Sequence, residues 1–295
     1  MKLEDEESDN VEDRRGEGGG GGFSFGGRGI GIGSIAIALV ASYFLGINPM
    51  TVLNILSGGG QSVAPTQQSD QTQSAARAPM ASDPMKHLVA LVLRDTEKTW
   101  TELFKQDGAT YIKPRLVVFT GGTQTACGPG LTASGPFYCP GDQKVYIDLD
   151  FYQLMKQKFH VAGDFAQAYV IAHEVGHYVQ NLLGIMDKVD KARQRSSEVQ
   201  SNALSVRLEL QADCFAGVWA FHANEARSIL EAGDVEEALN AANAIGDDAL
   251  QRQARGEVVP DSFTHGSSAQ RSRWFKRGLD SGKVSDCNTF DARQL

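Results

Sequence analysis

Two histidines one helical turn apart, set inside an apolar run, constrain this chain more than any other feature. Residues 169–183 read YVIAHEVGHYVQNLL, with Asp164 ahead of them and Gly184 behind. That pattern predicts a helix over Phe165–Leu183 with Asp164 as its N-cap. The i, i+4 spacing of His173 and His177 puts both rings on one face, where two ligands of a single tetrahedral ion must stand. Glu174 follows the first of them, within reach of a water on such an ion. Ordinary helices also carry this spacing by chance, so the assignment needs a second half.

The second half stands about thirty residues downstream. A catalytic zinc site takes three protein ligands and keeps a fourth position open. Glu209 and Asp213 are again i, i+4, on a separate predicted helix whose sequence is otherwise apolar around Leu204, Val206, Leu208, Phe215, Val218 and Trp219. Two carboxylates in such surroundings are costly unless they are paired or bind metal. The expected division gives Glu209 to the metal. Asp213 then accepts the second ring N–H of a ligating histidine.

HEVGH followed by ELQADCFAG forms a gluzincin-like HExxH…ExxxD pattern. With CG…GPFYCP…VYID before it and SFTHGSSAQR…WF after it, the chain resembles the bacterial neutral zinc metallopeptidase family over roughly residues 85–290. The resemblance implies a zincin-like domain in which His173, His177 and Glu209 bind one Zn2+ and Glu174 is the catalytic base. It also implies a protein or peptide substrate, without naming one. The metzincin pattern is excluded, because position 180 is Gln and position 183 is Leu.

Charge and hydropathy divide the rest of the chain. Residues 1–17 carry eight acids and three bases, and residues 85–295 are nearly neutral. A body without a basic stripe argues against nucleic acid as a partner. Residues 1–28, acidic and then glycine-rich, read as a disordered cytoplasmic tail. Gly29–Ile47 then runs nineteen residues without a charge. At 1.5 Å per residue that is about 28 Å, close to the roughly 30 Å hydrocarbon core of a bilayer. This predicts a single transmembrane anchor within 29–56, with a cleaved signal peptide as the alternative. Arg28 on one flank, and no further base until Arg77, orient it with the N-terminus inside and residues 85–295 on the periplasmic side of the inner membrane. The Gly, Ser, Gln and Pro of residues 57–84 read as a flexible linker.

Residues 85–295 read as one α+β domain, mainly helical with a small β element. Helices are expected over Met85–Lys105, Phe151–Phe159, Lys188–Asn224, Val235–Arg255 and Ser267–Leu279, and strands over Leu116–Phe119 and Val145–Leu149. Lys144–Leu149 is the candidate edge onto which a substrate backbone adds. The four cysteines suggest two disulfides, Cys127–Cys139 across one Gly/Pro-rich loop and Cys214–Cys287. Cys214 is set aside as a metal ligand, because Glu209 and Asp213 point along a different face of the helix. His87, His160 and His222 carry no partner motif. His265, in the turn-rich FTHGSS, is the candidate oxyanion donor, against the plainer role of ordering the helix that follows. A hydrolase is favoured over a membrane-tethered zinc-binding scaffold, because a purely structural site has no use for Glu174. A cell-wall peptide hydrolase shares the same chemistry.

Overall fold

The computed structural model describes residues 1–15, 83–131, 135–158, 161 and 163–295. The expected anchor over 29–56, nearly all of the expected linker and His160 lie outside them. Among the described residues no helix is long and apolar enough to cross a membrane.

In chain order the elements are β1 (Val11–Asp13), α1 (Pro84–Gln106), β2 (Arg115–Phe119), β3 (Gly122–Thr125), β4 (Gly128–Leu131), β5 (Phe137–Cys139), β6 (Lys144–Asp148), α2 (Leu149–Lys158), α3 (Asp164–Leu182), α4 (Ile185–Arg193), α5 (Glu198–Arg227), α6 (Asp234–Ala244), α7 (Asp247–Arg255) and α8 (Ser268–Ser281). The mainly helical α+β expectation therefore holds. One sheet has the order β1-β2-β6-β5, and β3 and β4 form a separate antiparallel pair. β1, β2 and β6 run parallel, with Val117 opposite Tyr146, and β5 returns antiparallel. LVVF of β2 and VYI of β6 are buried along their length, as strands covered on both faces must be. β6 is thus interior, and the expected substrate edge at Lys144–Leu149 is corrected: β5 is the outer strand on that side.

The helix boundaries correct three expectations. Asp164 is the first residue of α3 and not its cap. Gly163, at φ +123°, precedes it, and the Phe165 N–H donates to Glu237 of α6 at 3.2 Å. A carboxylate from another helix therefore does the capping, which local sequence cannot reveal. The stretch expected over Lys188–Asn224 is two helices, because Ser197 and Gln200 form a capping box that starts α5 afresh. The stretch over Val235–Arg255 breaks at Gly246, where a Cβ would lie 2.4 Å from the Ser268 nitrogen.

The core lies between the sheet and α5, with α3 through its middle. Phe165 stacks on Trp219 at 5.9 Å, and Trp100 meets Phe215 edge-on at 5.6 Å. Two glycine contacts bring the helix backbones unusually close. A Cβ on Gly176 of α3 would stand 3.0 Å from the Ala212 carbonyl oxygen of α5, and one on Gly278 of α8 would stand 2.0 Å from that of Cys214. α5 is therefore clasped on two sides. Both expected disulfides form, Cys127–Cys139 and Cys214–Cys287. His87 lies against Glu7, and His222 meets the Gly282 carbonyl at 2.7 Å.

The largest departure is at the N-terminus. Residues 1–15 are not a tail. β1 joins β2, the Leu116 N–H donates to the Asn10 carbonyl at 3.0 Å, and Arg14 N–H donates to that of Val118 at 2.9 Å. Four acids of the run pair with bases of the body: Glu4 and Glu6 with Lys98, Glu6 also with Arg94, Glu12 with Lys144, and Asp13 with Lys86. Ser8 is buried and donates to Glu97 at 2.7 Å. Arg15 pairs with Asp83 at the start of α1.

A strand cannot sit on the opposite side of a bilayer from the sheet it belongs to. The expected arrangement, with residues 1–15 cytoplasmic and residues 85–295 outside, is therefore incompatible with this packing. Exposed Asp5 and Glu225 provide the check, since all four native cysteines are bonded. Asp5→Cys and Glu225→Cys are expected to react alike with an impermeant maleimide in intact cells, both labelled or both protected. Labelling of one alone would refute the shared side.

Candidate metal centre

α3 carries the two histidines and α5 the two carboxylates, and the Gly176–Ala212 contact sets their faces against each other. Glu209 Oε2 lies 3.3 Å from His173 Nε2, and its Oε1 lies 3.5 Å from His177 Nε2. Bonds of about 2.0–2.1 Å to a tetrahedral ion separate its ligand atoms by about 3.3 Å. The three residues offer ligand atoms all within 4.8 Å of one another, so their donor set fits one such ion. The rings stand at 88° with centroids 4.8 Å apart. His173, His177 and Glu174 are buried, and Glu209 is partly open.

The Nδ1 atoms face away from this point. His173 Nδ1 meets Asp213 Oδ1 at 2.8 Å, and His177 Nδ1 meets Gln180 Oε1 at 2.8 Å. Each partner is an oxygen acceptor, so Nδ1 donates and the Nε2 lone pair is free for a metal. Asp213 is fully buried and takes four hydrogen bonds. Besides His173, Tyr169 Oη donates at 2.6 Å, and Arg271 donates from Nε and Nη2, both at 2.9 Å. Glu209 thus stands against both Nε2 atoms and Asp213 behind His173.

Electrostatics follow from this packing. Burial raises the Asp213 carboxyl, but Arg271 and His173 outweigh it and hold it at about 2. Burial opposes charge on His173, yet Asp213 and Glu209 lift the metal-free ring to about 10. Burial likewise opposes charge on Glu209, which the two histidines keep well below the ordinary carboxylate range. Glu174 goes the other way: desolvation dominates and raises it, the direction wanted in a general base.

His265 stands on the loop before α8. Gly266 beside it, at φ +95°, has Leu210 and Val206 of α5 within 3.4 Å of where a Cβ would be, which seats this loop beside Glu209. Asp247, at the start of α7, holds the loop. Its Oδ2 accepts the backbone N–H of Thr264 (2.7 Å), His265 (2.7 Å) and Gly266 (3.0 Å), and its Oδ1 lies 3.1 Å from His265 Nδ1. The ring is 47% exposed, with Nε2 left over by this pairing. Sequence reasoning missed Asp247, Arg271, Tyr169 and Gln180. Only Arg271 left a signal, as a charged residue on the apolar face of a short helix.

The fold and the site place the chain among known proteins. Residues 2–290 match the family described as "Putative neutral zinc metallopeptidase". The chain belongs to that family. It is 51% identical over 285 residues to the uncharacterized protein YpfJ of Escherichia coli K12, covering 96% of each chain. It is 42% identical over 195 residues to the uncharacterized protein Rv2575 of Mycobacterium tuberculosis, covering 63% of this chain and 65% of that one. No solved structure matches it.

The His265–Asp247 pair has a titration consequence. Partial desolvation lowers the half-exposed His265 ring, but the Asp247 hydrogen bond and the nearby Glu209 charge outweigh it and leave it above 6.5. A raised histidine contributes stability that is complete below its unfolded value, about 6.5, and is lost as pH rises through the folded value. NMR titration is expected to find the His265 midpoint above 6.5, and Asp247→Asn to move it down. A midpoint that Asp247→Asn leaves in place would show that the pair is not formed.

Proposed function

We propose that this chain is a zinc peptidase, with His173, His177 and Glu209 holding one Zn2+ and Glu174 serving as general base. The observation that carries the reading is the position of Glu209, whose two oxygens lie at 3.3 and 3.5 Å from the two free histidine nitrogens. Zinc bound there supplies a Lewis acid and brings the pKa of a water towards neutrality. Glu174 takes the proton of the attacking water and returns it to the leaving amine. His265, held protonated by Asp247, donates from Nε2 of its imidazolium to the oxyanion that develops on the substrate. Asp213 and Arg271 keep the His173 ring from turning. β5, antiparallel, beside α3 and the outer strand of the sheet among the described residues, is the strand to which an extended peptide would add.

Two features favour turnover over a tethered scaffold. Three protein ligands leave a coordination position for water, and Glu174 is buried beside it with a raised pKa. We assign the domain to an oxidising, extracytoplasmic compartment, supported by two disulfides and the absence of free cysteine. Residues 29–56, twenty-eight residues without a charge, remain the proposed membrane attachment, as a segment that enters and leaves on one side, because residues 1–15 pack with the body.

The test is hydrolysis of a mixed peptide library by the whole protein, with cell-wall peptides run in parallel to separate the two substrate classes. Glu174→Gln is expected to keep about one zinc per chain and to lose 10²–10⁴-fold in rate, the usual worth of a general base. Glu209→Ala is expected to lose the zinc. Asp213→Ala is expected to weaken it by 10–100-fold, as outer partners of metal ligands do. Full zinc in Glu209→Ala with none in Asp213→Ala would reverse the two roles.

His265→Ala is expected to keep zinc and fold while losing about 10²–10³-fold in kcat, the cost of one oxyanion donor. An unchanged kcat would leave His265 with only its loop-ordering contacts to Asp247.

A further inference from the structure

The two histidines lean on different chemistry. Behind His173 stands a carboxylate, and behind His177 stands the carboxamide of Gln180, fully buried and nearly one turn further along α3. The Gln180 Nε2 donates to the Leu208 carbonyl at 2.7 Å and to Gln211 Oε1 at 3.1 Å. Gln211 Nε2 in turn donates to the Cys287 carbonyl at 3.0 Å. Cys287 is bonded to Cys214 of α5. The residues after it are tied to the same helix, because Thr289 Oγ1 donates to the Arg207 carbonyl at 2.6 Å.

An isolated carboxamide can turn over and exchange its oxygen for its nitrogen, and which way it points is decided by its neighbours. Here the neighbours leave no choice. Main-chain carbonyls only accept. The Cys287 carbonyl therefore fixes the Gln211 amide with nitrogen towards Cys287 and oxygen towards Gln180. The Leu208 carbonyl and that Gln211 oxygen then fix the Gln180 amide with its nitrogen towards α5 and its oxygen towards His177. An oxygen at Nδ1 requires a proton on Nδ1, so Nε2 carries the lone pair and points at Glu209.

We infer that Gln180 is a positioning residue for the metal ligand His177, holding its tautomer and ring angle. Gln211 and the disulfide-held Cys287 carbonyl fix the direction of that amide. The inference rests on the zinc reading above, and it applies to a residue that the ligand pattern itself does not include.

The direct measurement is the ¹⁵N NMR of the His177 ring in the parent protein. Nδ1 is expected to be protonated with zinc bound and in neutral rings of the zinc-free protein. A neutral His177 ring in the zinc-free protein with its proton on Nε2 and none on Nδ1 would overturn the inference without touching the zinc assignment. A parent that binds no zinc would sink the zinc reading instead.

Two substitutions separate positioning from packing, read by chelator competition for zinc and by the visible spectrum of the cobalt-loaded protein. Gln180→Met keeps the length and removes the acceptor, and is expected to weaken zinc by about 10–100-fold with an altered cobalt spectrum. Gln180→Glu keeps an oxygen at Nδ1 and is expected to recover most of that loss, although a buried carboxylate facing the Leu208 carbonyl lowers its melting temperature. A packing role predicts the opposite order, with Gln180→Glu the weaker binder, and that order would refute the inference. Gln211→Met is expected to weaken zinc only several-fold, since the Leu208 carbonyl still orients Gln180. Parent-like affinity in Gln180→Met would likewise refute it.

Discussion

Everything at the centre of this molecule hangs on one buried ion pair, Asp213 with Arg271. It joins α5 to α8, and through Tyr169 and His173 it reaches α3, so three helices meet at one carboxylate. Burying two charges costs several kcal/mol of lost hydration for each, and a pair in isolation seldom recovers it. Here the cost is offset by complete satisfaction, with four donors on one carboxylate. What the pair supplies is a fixed direction for the His173 ring, which an apolar replacement could not give. Removing either partner alone would strand the other charge in the core.

That interaction is possible only because the helix backbones come close. Gly176 against Ala212 and Gly278 against Cys214 remove the side chains that would hold α3, α5 and α8 apart. Short polar side chains such as Asp213 and His173 can then span between axes. The same closeness explains why α5 shows no amphipathic stripe through Gln211–Ala220: it is surrounded there, and every residue of that segment is buried. In this fold the glycines set the distance and the ion pair sets the angle.

How much of this was legible in the sequence follows from the range of the interactions. The i, i+4 pairs on α3 and α5 could be read because one helical turn converts spacing into geometry, and their burial in apolar sequence marked them as special. The cysteines could be paired because an even set flanking a loop leaves few arrangements. Asp247, Gln180 and Glu237 could not be read, since each acts on a group whose role emerges only after folding. β1 was missed for a sharper reason. Residues 4–13 look unfoldable by charge, but their partners Arg94, Lys98 and Lys144 lie about ninety or more residues away. Composition counts acids without knowing that they are neutralised.

The asymmetry between the two histidines bears on how such a site works. Glu209 and Asp213 contribute two negative charges and Arg271 one positive, so these groups sum to −1. A divalent ion brought in raises that to +1 before Glu174 is counted, and this positive balance is what polarises a carbonyl and acidifies a water. A second carboxylate in place of the Gln180 amide would cancel it. The electrophile would then be weaker. A neutral amide behind His177 gives the ring its direction without spending that charge. The carboxylate behind His173 is tolerated for the complementary reason that Arg271 has already balanced it.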